Sequence, residues 1–248
     1  MKHNSAVVAV YSLKGGVGKT TFAVNLAWSA ATQSARRTLL WDIDPQGAAS
    51  FLLGVDTFGK GAAHAVFAKD IAADKLVVAT ATDRLSLLAA DTSLRGLDQM
   101  LFSLGKKKRL SRLVDELGKR YERIVLDCPP GLTETSEQVM RAADVIVVPV
   151  IPSPLSERAL AEVIHHLDRE HKGHAPVLPV FSMVDRRRSL HIAALRAQPD
   201  WPIVPMASAI EQMAVKRVPI GCFAPRSQAA DAFARLWQGI ELKLARRA

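Results

Sequence analysis

Near its N-terminus the chain reads Ser12-Leu13-Lys14-Gly15-Gly16-Val17-Gly18-Lys19-Thr20-Thr21, a spacing of glycine, lysine and hydroxyl groups suited to holding phosphate. Glycines permit positive φ angles. Lacking a Cβ, they also let backbone N–H groups close around anionic oxygens. The run follows an apolar stretch and leads into a helical pattern through Phe22, Leu26 and Trp28. The N-terminus of such a helix adds unpaired N–H donors and a partial positive charge. Strand, glycine loop and helix in this order form the context of a phosphate loop, and the plainer alternative is a glycine-rich connecting turn. In a phosphate loop Lys19 reaches the β and γ phosphates and the Thr20 hydroxyl coordinates Mg²⁺. The expected ATP contacts are therefore Lys14, Gly15, Gly16, Val17, Gly18, Lys19, Thr20 and Thr21.

Two further segments end apolar runs in carboxylates. In Asp42-Ile43-Asp44-Pro45-Gln46-Gly47 the two-residue period of an extended chain puts Asp42 and Asp44 on one side. Like charges held close are costly unless a cation or a bound water lies near. The alternative is a turn or capping aspartate before Pro45. The second segment, Arg123 to Gly131, is an apolar strand ending in Asp127, followed by Cys128 and a Pro-Pro-Gly turn. No Ser-His-Asp or Cys-His set competes as a catalytic centre. The seven histidines are scattered, with His165 and His166 in an amphipathic helical stretch. They read as surface or packing residues rather than metal ligands. Cys128 and Cys222 are too few for a disulfide framework or a metal cage.

Leu13 stands where an ordinary phosphate loop has glycine, and Lys14 lies five residues before Lys19. This second lysine resembles the deviant Walker A motif of the ParA/MinD superfamily of partition and positioning ATPases. The D-x-D-P-Q-G run resembles ParA proteins more than MinD, and small ParA-like members most of all. The resemblance spans the chain in motif order but is specific only in the first 50 residues and around Asp127. It implies Mg-dependent ATP hydrolysis, with Lys14 reaching phosphate across an ATP-sandwich homodimer and assisting catalysis together with Lys19. By the same resemblance Asp44 orients the attacking water, and Asp42 lies near the metal's hydration shell. Asp127 holds Mg²⁺ through a water, and Gly131 offers its N–H to the γ-phosphate. Met183, Asp185 and Pro205 fall where the family contacts adenine, a looser match because many members carry Asn where this chain has Ser182. Arg186, Arg187, Arg188, Lys216 and Arg217 fall where ParA relatives line a groove that binds duplex DNA without reading its sequence. A ParB-like or cargo-adaptor protein that stimulates hydrolysis is also implied. The chain starts almost at its first strand, so the helix-turn-helix of longer ParA proteins is expected to be missing.

Such residues need a frame. Val7–Ser12, Thr38–Ile43, Leu85–Leu88, Arg123–Asp127, Val145–Val150 and Val177–Val184 read as strands buried on both faces. Helical periods occupy Lys19–Gln33, Leu110–Arg120, Leu155–His171 and Ser227–Leu244. The alternation predicts a single α/β domain over residues 1–248 with a doubly wound, mostly parallel sheet. Ligands then sit beyond the carboxyl ends of the strands, where the motifs cluster.

With 248 residues and 49% hydrophobic content the chain can bury a large core. No run approaches the roughly 18 apolar residues of a membrane span, and no leader is evident. A membrane partner is therefore not expected and the setting reads as cytoplasmic, while the ParA resemblance implies association with the nucleoid of a bacterium. The net charge of +9 favours polyanions. Further basic clusters stand at Lys106–Arg109 and Arg246–Arg247. Two rival readings remain open. A MinD-like membrane switch would use the Ala229, Phe233, Leu236, Trp237, Ile240, Leu244 stripe as its anchor, although such stripes are more often core. A metabolic synthetase on the same fold would need a further substrate pocket, for which no motif is seen.

Overall fold

The computed structural model describes residues 5–55, 62–68, 70–104 and 108–246. Its strands are β1 (Ala6–Val10), β2 (Thr38–Asp42), β3 (Val77–Ala79), β4 (Leu85–Leu88), β5 (Arg123–Asp127), β6 (Val145–Val150), β7 (Val177–Val184) and β8 (Ile203–Pro205). They form one sheet in the order β3-β4-β2-β5-β1-β6-β7-β8, parallel throughout except for the antiparallel β3–β4 edge. The helices are α1 (Lys19–Thr32), α2 (Ala48–Leu52), α3 (Ala62–Ala68), α4 (Leu97–Leu104), α5 (Arg109–Leu117), α6 (Glu134–Ala142), α7 (Pro154–Glu170), α8 (Ser189–Ala197), α9 (Ser208–Lys216), α10 (Ile220–Phe223) and α11 (Gln228–Ala245). The six expected strands are all present. β3 and β8 went unpredicted because three residues are too few to show a period.

Successive residues of β1 supply both cores, as the strand's two-residue period requires. Val7, Ala9 and Tyr11 join Leu113, Val139 and Leu160 of α5, α6 and α7 on one face. Val8 and Val10 join Phe22 and Leu26 of α1 and Phe233 and Trp237 of α11 on the other. Burial on both faces explains why the central strands are continuously apolar.

The C-terminal stripe is core. Ala229, Phe233, Leu236, Trp237, Ile240 and Leu244 are all buried, Phe233 packs edge-on against Phe22 at 5.1 Å, and Trp237 Nε1 donates to Ser34 Oγ at 2.8 Å. Arg123 at the foot of β5 clasps Glu241 of α11 through contacts of 2.9 and 2.6 Å. Each large apolar side chain so buried contributes roughly 1.5–3 kcal/mol, and lending the stripe to a lipid surface would forfeit several such increments. The anchor imagined for a membrane switch is thus already occupied. No helix among the described residues is long and apolar enough to cross a membrane.

The Lys106–Arg109 cluster also needs correction. Lys106 and Lys107 lie outside the described residues, as does Arg247 of the other cluster. Arg109 is buried, and its guanidinium donates to the carbonyls of Val66 and Phe67 at 2.8 Å each, closing the end of α3.

Candidate active site

The loop from Ser12 to Gly18 joins β1 to α1. Gly16 and Gly18 take φ values of 72° and 94°, in the left-handed region where a Cβ is strained. Gly18 is the N-cap of α1 and supplies no side-chain cap, and the first turn carries no acidic residue. The leading N–H groups of a 14-residue helix are therefore left for an external anion. Lys19 is buried and its ammonium donates to the Lys14 carbonyl at 2.9 Å, folding back across the loop it closes. Burial holds its pKa below the usual lysine value, while Asp127 opposes the shift. Lys14 itself is half-buried, and its ammonium has no hydrogen-bond or ion-pair partner among the described residues.

Parallel pairing sets three strand ends side by side, because Asp127 is in register with both Val10 and Asp42. Asp127 is fully buried, and neither carboxylate oxygen accepts a hydrogen bond from any described residue. The Thr20 hydroxyl lies near enough to favour the charged form but makes no close bond. Burial, then the nearby Asp42, push the Asp127 carboxyl well above its ordinary pKa. An unsatisfied buried carboxylate is expensive. A divalent cation held near Asp127 and Thr20 would remove that cost, so these residues fit Mg²⁺.

Asp42 is the last residue of β2. Its Oδ2 accepts from Ala49 N (3.1 Å), Ser50 N (3.2 Å) and Ser50 Oγ (3.2 Å), and its Oδ1 from Asp44 N (3.2 Å). Burial pushes the Asp42 carboxyl up to about 7 against the opposing pull of these donors, which tie the end of β2 to the start of α2. Asp42 therefore anchors the first turn of α2, while its Oδ1 accepts only the one bond from Asp44 N among the described residues. Asp44 is half-buried and accepts only from Gln46 N, at 3.0 Å. Its second oxygen has no partner among the described residues.

Residues 5–178 match a sequence model described as an AAA domain. The sporulation initiation inhibitor protein Soj of Bacillus subtilis is 26% identical over 240 residues, covering 92% of this chain and 94% of Soj. The chromosome partitioning protein ParA of Caulobacter vibrioides is 33% identical over 195 residues, covering 74% of this chain and 72% of ParA. Among solved structures, cobyrinic acid a,c-diamide synthase from Mycobacterium smegmatis with a bound ATP analogue and magnesium superposes with a TM-score of 0.81. It is 26% identical, and the match covers 95% of this chain and 94% of that one. The chain belongs to the ParA/MinD family of P-loop ATPases.

As a member of that family it hydrolyses ATP with Mg²⁺. Bound ATP supplies the phosphoanhydride that is cleaved, and Mg²⁺ supplies charge neutralisation at its phosphate oxygens. The chain contributes what its geometry offers: the uncapped N-terminus of α1, the Lys19 ammonium, the unpaired carboxylate of Asp127 and the second oxygen of Asp44. Gly131, at φ 93°, is fixed to this cluster because the Tyr11 hydroxyl donates to its carbonyl at 3.0 Å. Cys128 beside it is buried, and burial pushes its thiol pKa up, in keeping with a packing role.

The ParA/MinD-family ATPase brings the base-contact candidates to the same edge but commits some of them elsewhere. Ser182 Oγ donates to the Val17 carbonyl at 2.8 Å, fastening β7 to the P-loop, and Met183 has φ 55° at the strand end. Asp185 is engaged bidentately by Arg187 (2.8 and 2.9 Å), which holds its carboxyl well below the usual range. The Asp185 backbone N–H donates to His191 Nδ1 at 3.0 Å. Pro205 lines a cleft of about 770 Å³ together with Arg186, Trp201, Asp231 and Arg235. Arg186, Arg187 and Arg188 are exposed just beyond β7. Arg217 instead lies over the Phe51 ring of α2 (4.9 Å) and donates to its carbonyl at 3.1 Å, while Lys216 sits over Phe223 at 5.4 Å. Lys216 and Arg217 end α9 and so stand apart in the chain from the Arg186–Arg188 turn that follows β7.

Sequence reasoning missed Tyr11, Ser50 and His191, and it noted Ser182 only for its place beside the base contacts, not for its bond to the P-loop. Only Tyr11 carried a usable signal, since the alternation Val7, Ala9, Tyr11 points it to the face that Gly131 reaches.

Proposed function

We propose that ATP binding pairs two copies of this chain face to face, and that the paired form holds duplex DNA until a partner-stimulated hydrolysis releases it. The observation that carries the reading is Lys14, a lysine at the mouth of the P-loop whose ammonium has no partner among the described residues. A triphosphate trapped between two protomers needs counter-charge from both, and Lys14 from the opposite copy supplies it. Asp44 positions the attacking water, Thr20 and Asp127 hold Mg²⁺, and Lys19 follows the charge as the γ-phosphate departs. Met183 and Pro205 border the base, with the backbone of the Asp185 turn beside them. The cargo is DNA or a protein assembly, engaged through a ParB-like or adaptor partner in a nucleoid-associated, cytoplasmic setting.

Asp44→Ala is expected to retain the ATP-bound dimer while turnover falls at least about 100-fold, as loss of a water-activating group does. Phosphate release combined with light scattering would check it, and wild-type turnover would remove this role from Asp44.

The DNA arm is tested by retention of an arbitrary duplex. Binding should require ATP and fall steeply with salt. Arg187 has a side chain 88% exposed, against 65% for Arg188. Arg187→Glu removes a cation and places a second carboxylate beside Asp185. DNA affinity should drop at least about tenfold, with ATP affinity unchanged. Equal DNA retention would move the DNA surface elsewhere. A synthetase reading has the Mycobacterium smegmatis neighbour in its favour. It predicts instead ATP turnover that rises with a small carboxylic acid and ignores DNA.

A further inference from the structure

The histidines expected to be scattered are not all so. Glu137 of α6, His166 in the last turn of α7 and His171, the C-cap of α7, converge on one point. Glu137 Oε2 lies 2.6 Å from His171 Nε2, and Glu137 Oε1 contacts His166 Nε2. One ligand atom from each of the three residues can be chosen so that all lie within 4.8 Å of one another. The side chains are mostly shielded, at 5% exposure for His171, 14% for His166 and 19% for Glu137. We propose that Glu137, His166 and His171 form a binding site for one divalent transition-metal ion, with zinc the best match.

Two imidazoles and one carboxylate are the ligand set of open three-ligand zinc sites, whose fourth position is taken by water. Imidazole nitrogen selects zinc, cobalt, nickel or copper and disfavours Mg²⁺, so this site does not compete for the nucleotide's metal. Solvent access is provided by a polar cavity of about 530 Å³ lined by His171 with Arg141, Glu170, Lys172 and His174. A bound ion would take the Nε2 lone pair of each imidazole in place of its contact with the carboxylate.

One neighbour opposes the ion. Arg141 lies 3.7 Å from Glu137 Oε2, and its side chain is 35% exposed. That exposure lets the guanidinium turn to solvent as the metal enters, at a cost to affinity. A bound ion would clamp α6 to α7. α6 starts three residues beyond Gly131, and the Tyr11 hydroxyl that bonds the Gly131 carbonyl lies within electrostatic reach of Glu137. The clamp therefore bears on the loop beside the nucleotide.

Zinc titration against a chromogenic chelator, without nucleotide and with Mg²⁺ in excess, tests the site independently of the ATPase reading. One ion per chain is expected, together with a raised melting temperature and, for cobalt, a visible tetrahedral absorption band. His166→Gln and His171→Gln should each weaken zinc at least about tenfold and abolish the band. His165→Gln, an exposed position on the same helix, should change nothing. Arg141→Gln should bind zinc more tightly than wild type, a gain that a purely hydrogen-bonded Glu–His cluster does not predict. Zinc affinity unchanged in both His variants, with their circular dichroism intact, would overturn the proposal. So would a wild-type chain that binds no zinc.

Discussion

Lys19→Ala is expected to lose tight binding of Mg-ATP while the chain stays folded. Truncating one partner of a desolvated charge pair costs about 2–5 kcal/mol, which is roughly 30-fold to several thousand-fold in affinity. The wild-type ammonium is buried and donates only to the Lys14 carbonyl, at 2.9 Å. Removing it leaves one carbonyl to be solvated at an open loop, a small loss for the fold. Calorimetric titration with ATP would show the effect directly, with thermal melting as the check on folding. Affinity within threefold of wild type would mean that the loop's N–H groups alone hold the phosphates.

Asp127→Asn should separate stability from function. In the wild type a fully buried carboxyl has neither oxygen hydrogen-bonded by a described residue, and burial raises its pKa well above the usual range. Because the folded pKa lies above the unfolded one, the folded state holds the proton more tightly. This favours folding fully at low pH, and the advantage is lost as pH rises from about 4 towards the raised pKa. The loss is at most about 1.4 kcal/mol for each pH unit crossed. Without Mg²⁺ and nucleotide, the wild type should therefore become less stable between pH 5 and pH 8. The neutral Asn side chain removes Asp127's share of this slope, leaving the smaller share of Asp42, whose carboxyl burial pushes up to about 7, and the variant should be the more stable protein at pH 8. Its ATP turnover should nevertheless fall at least about 100-fold, because metal stabilisation of the reacting phosphates is worth several kcal/mol. Denaturant melts at both pH values and a phosphate-release assay check the two halves. A variant less stable than wild type at pH 8 would show that the carboxylate is satisfied by a water.

The sequence was most informative where one local motif dictates one backbone shape. Gly16 and Gly18 have positive φ because the loop must turn its N–H groups inward, and their spacing to Lys19 is readable without a structure. The sheet was equally legible, since strands covered on both faces cannot hide their apolar runs. What stayed hidden depends on contacts between distant segments. Asp42 read as half of a carboxylate pair, and nothing local announced that Ala49 and Ser50 also bind it, seven and eight residues later, through a helix only five residues long. Arg109 looked like a surface charge until α3 was there to be capped. Asp185 and Arg187 looked independent, yet they bind each other. His166 and Glu137 are 29 residues apart, and only the packing of α6 on α7 brings them together.

The function proposed for this ATPase follows from ATP joining two chains through Lys14. Multi-angle light scattering with a non-hydrolysable ATP analogue and Mg²⁺ measures this most directly. The wild type is predicted to double in mass, while Lys14→Ala binds the analogue and stays monomeric. A wild-type mass that does not change while calorimetry shows the analogue bound would contradict the account.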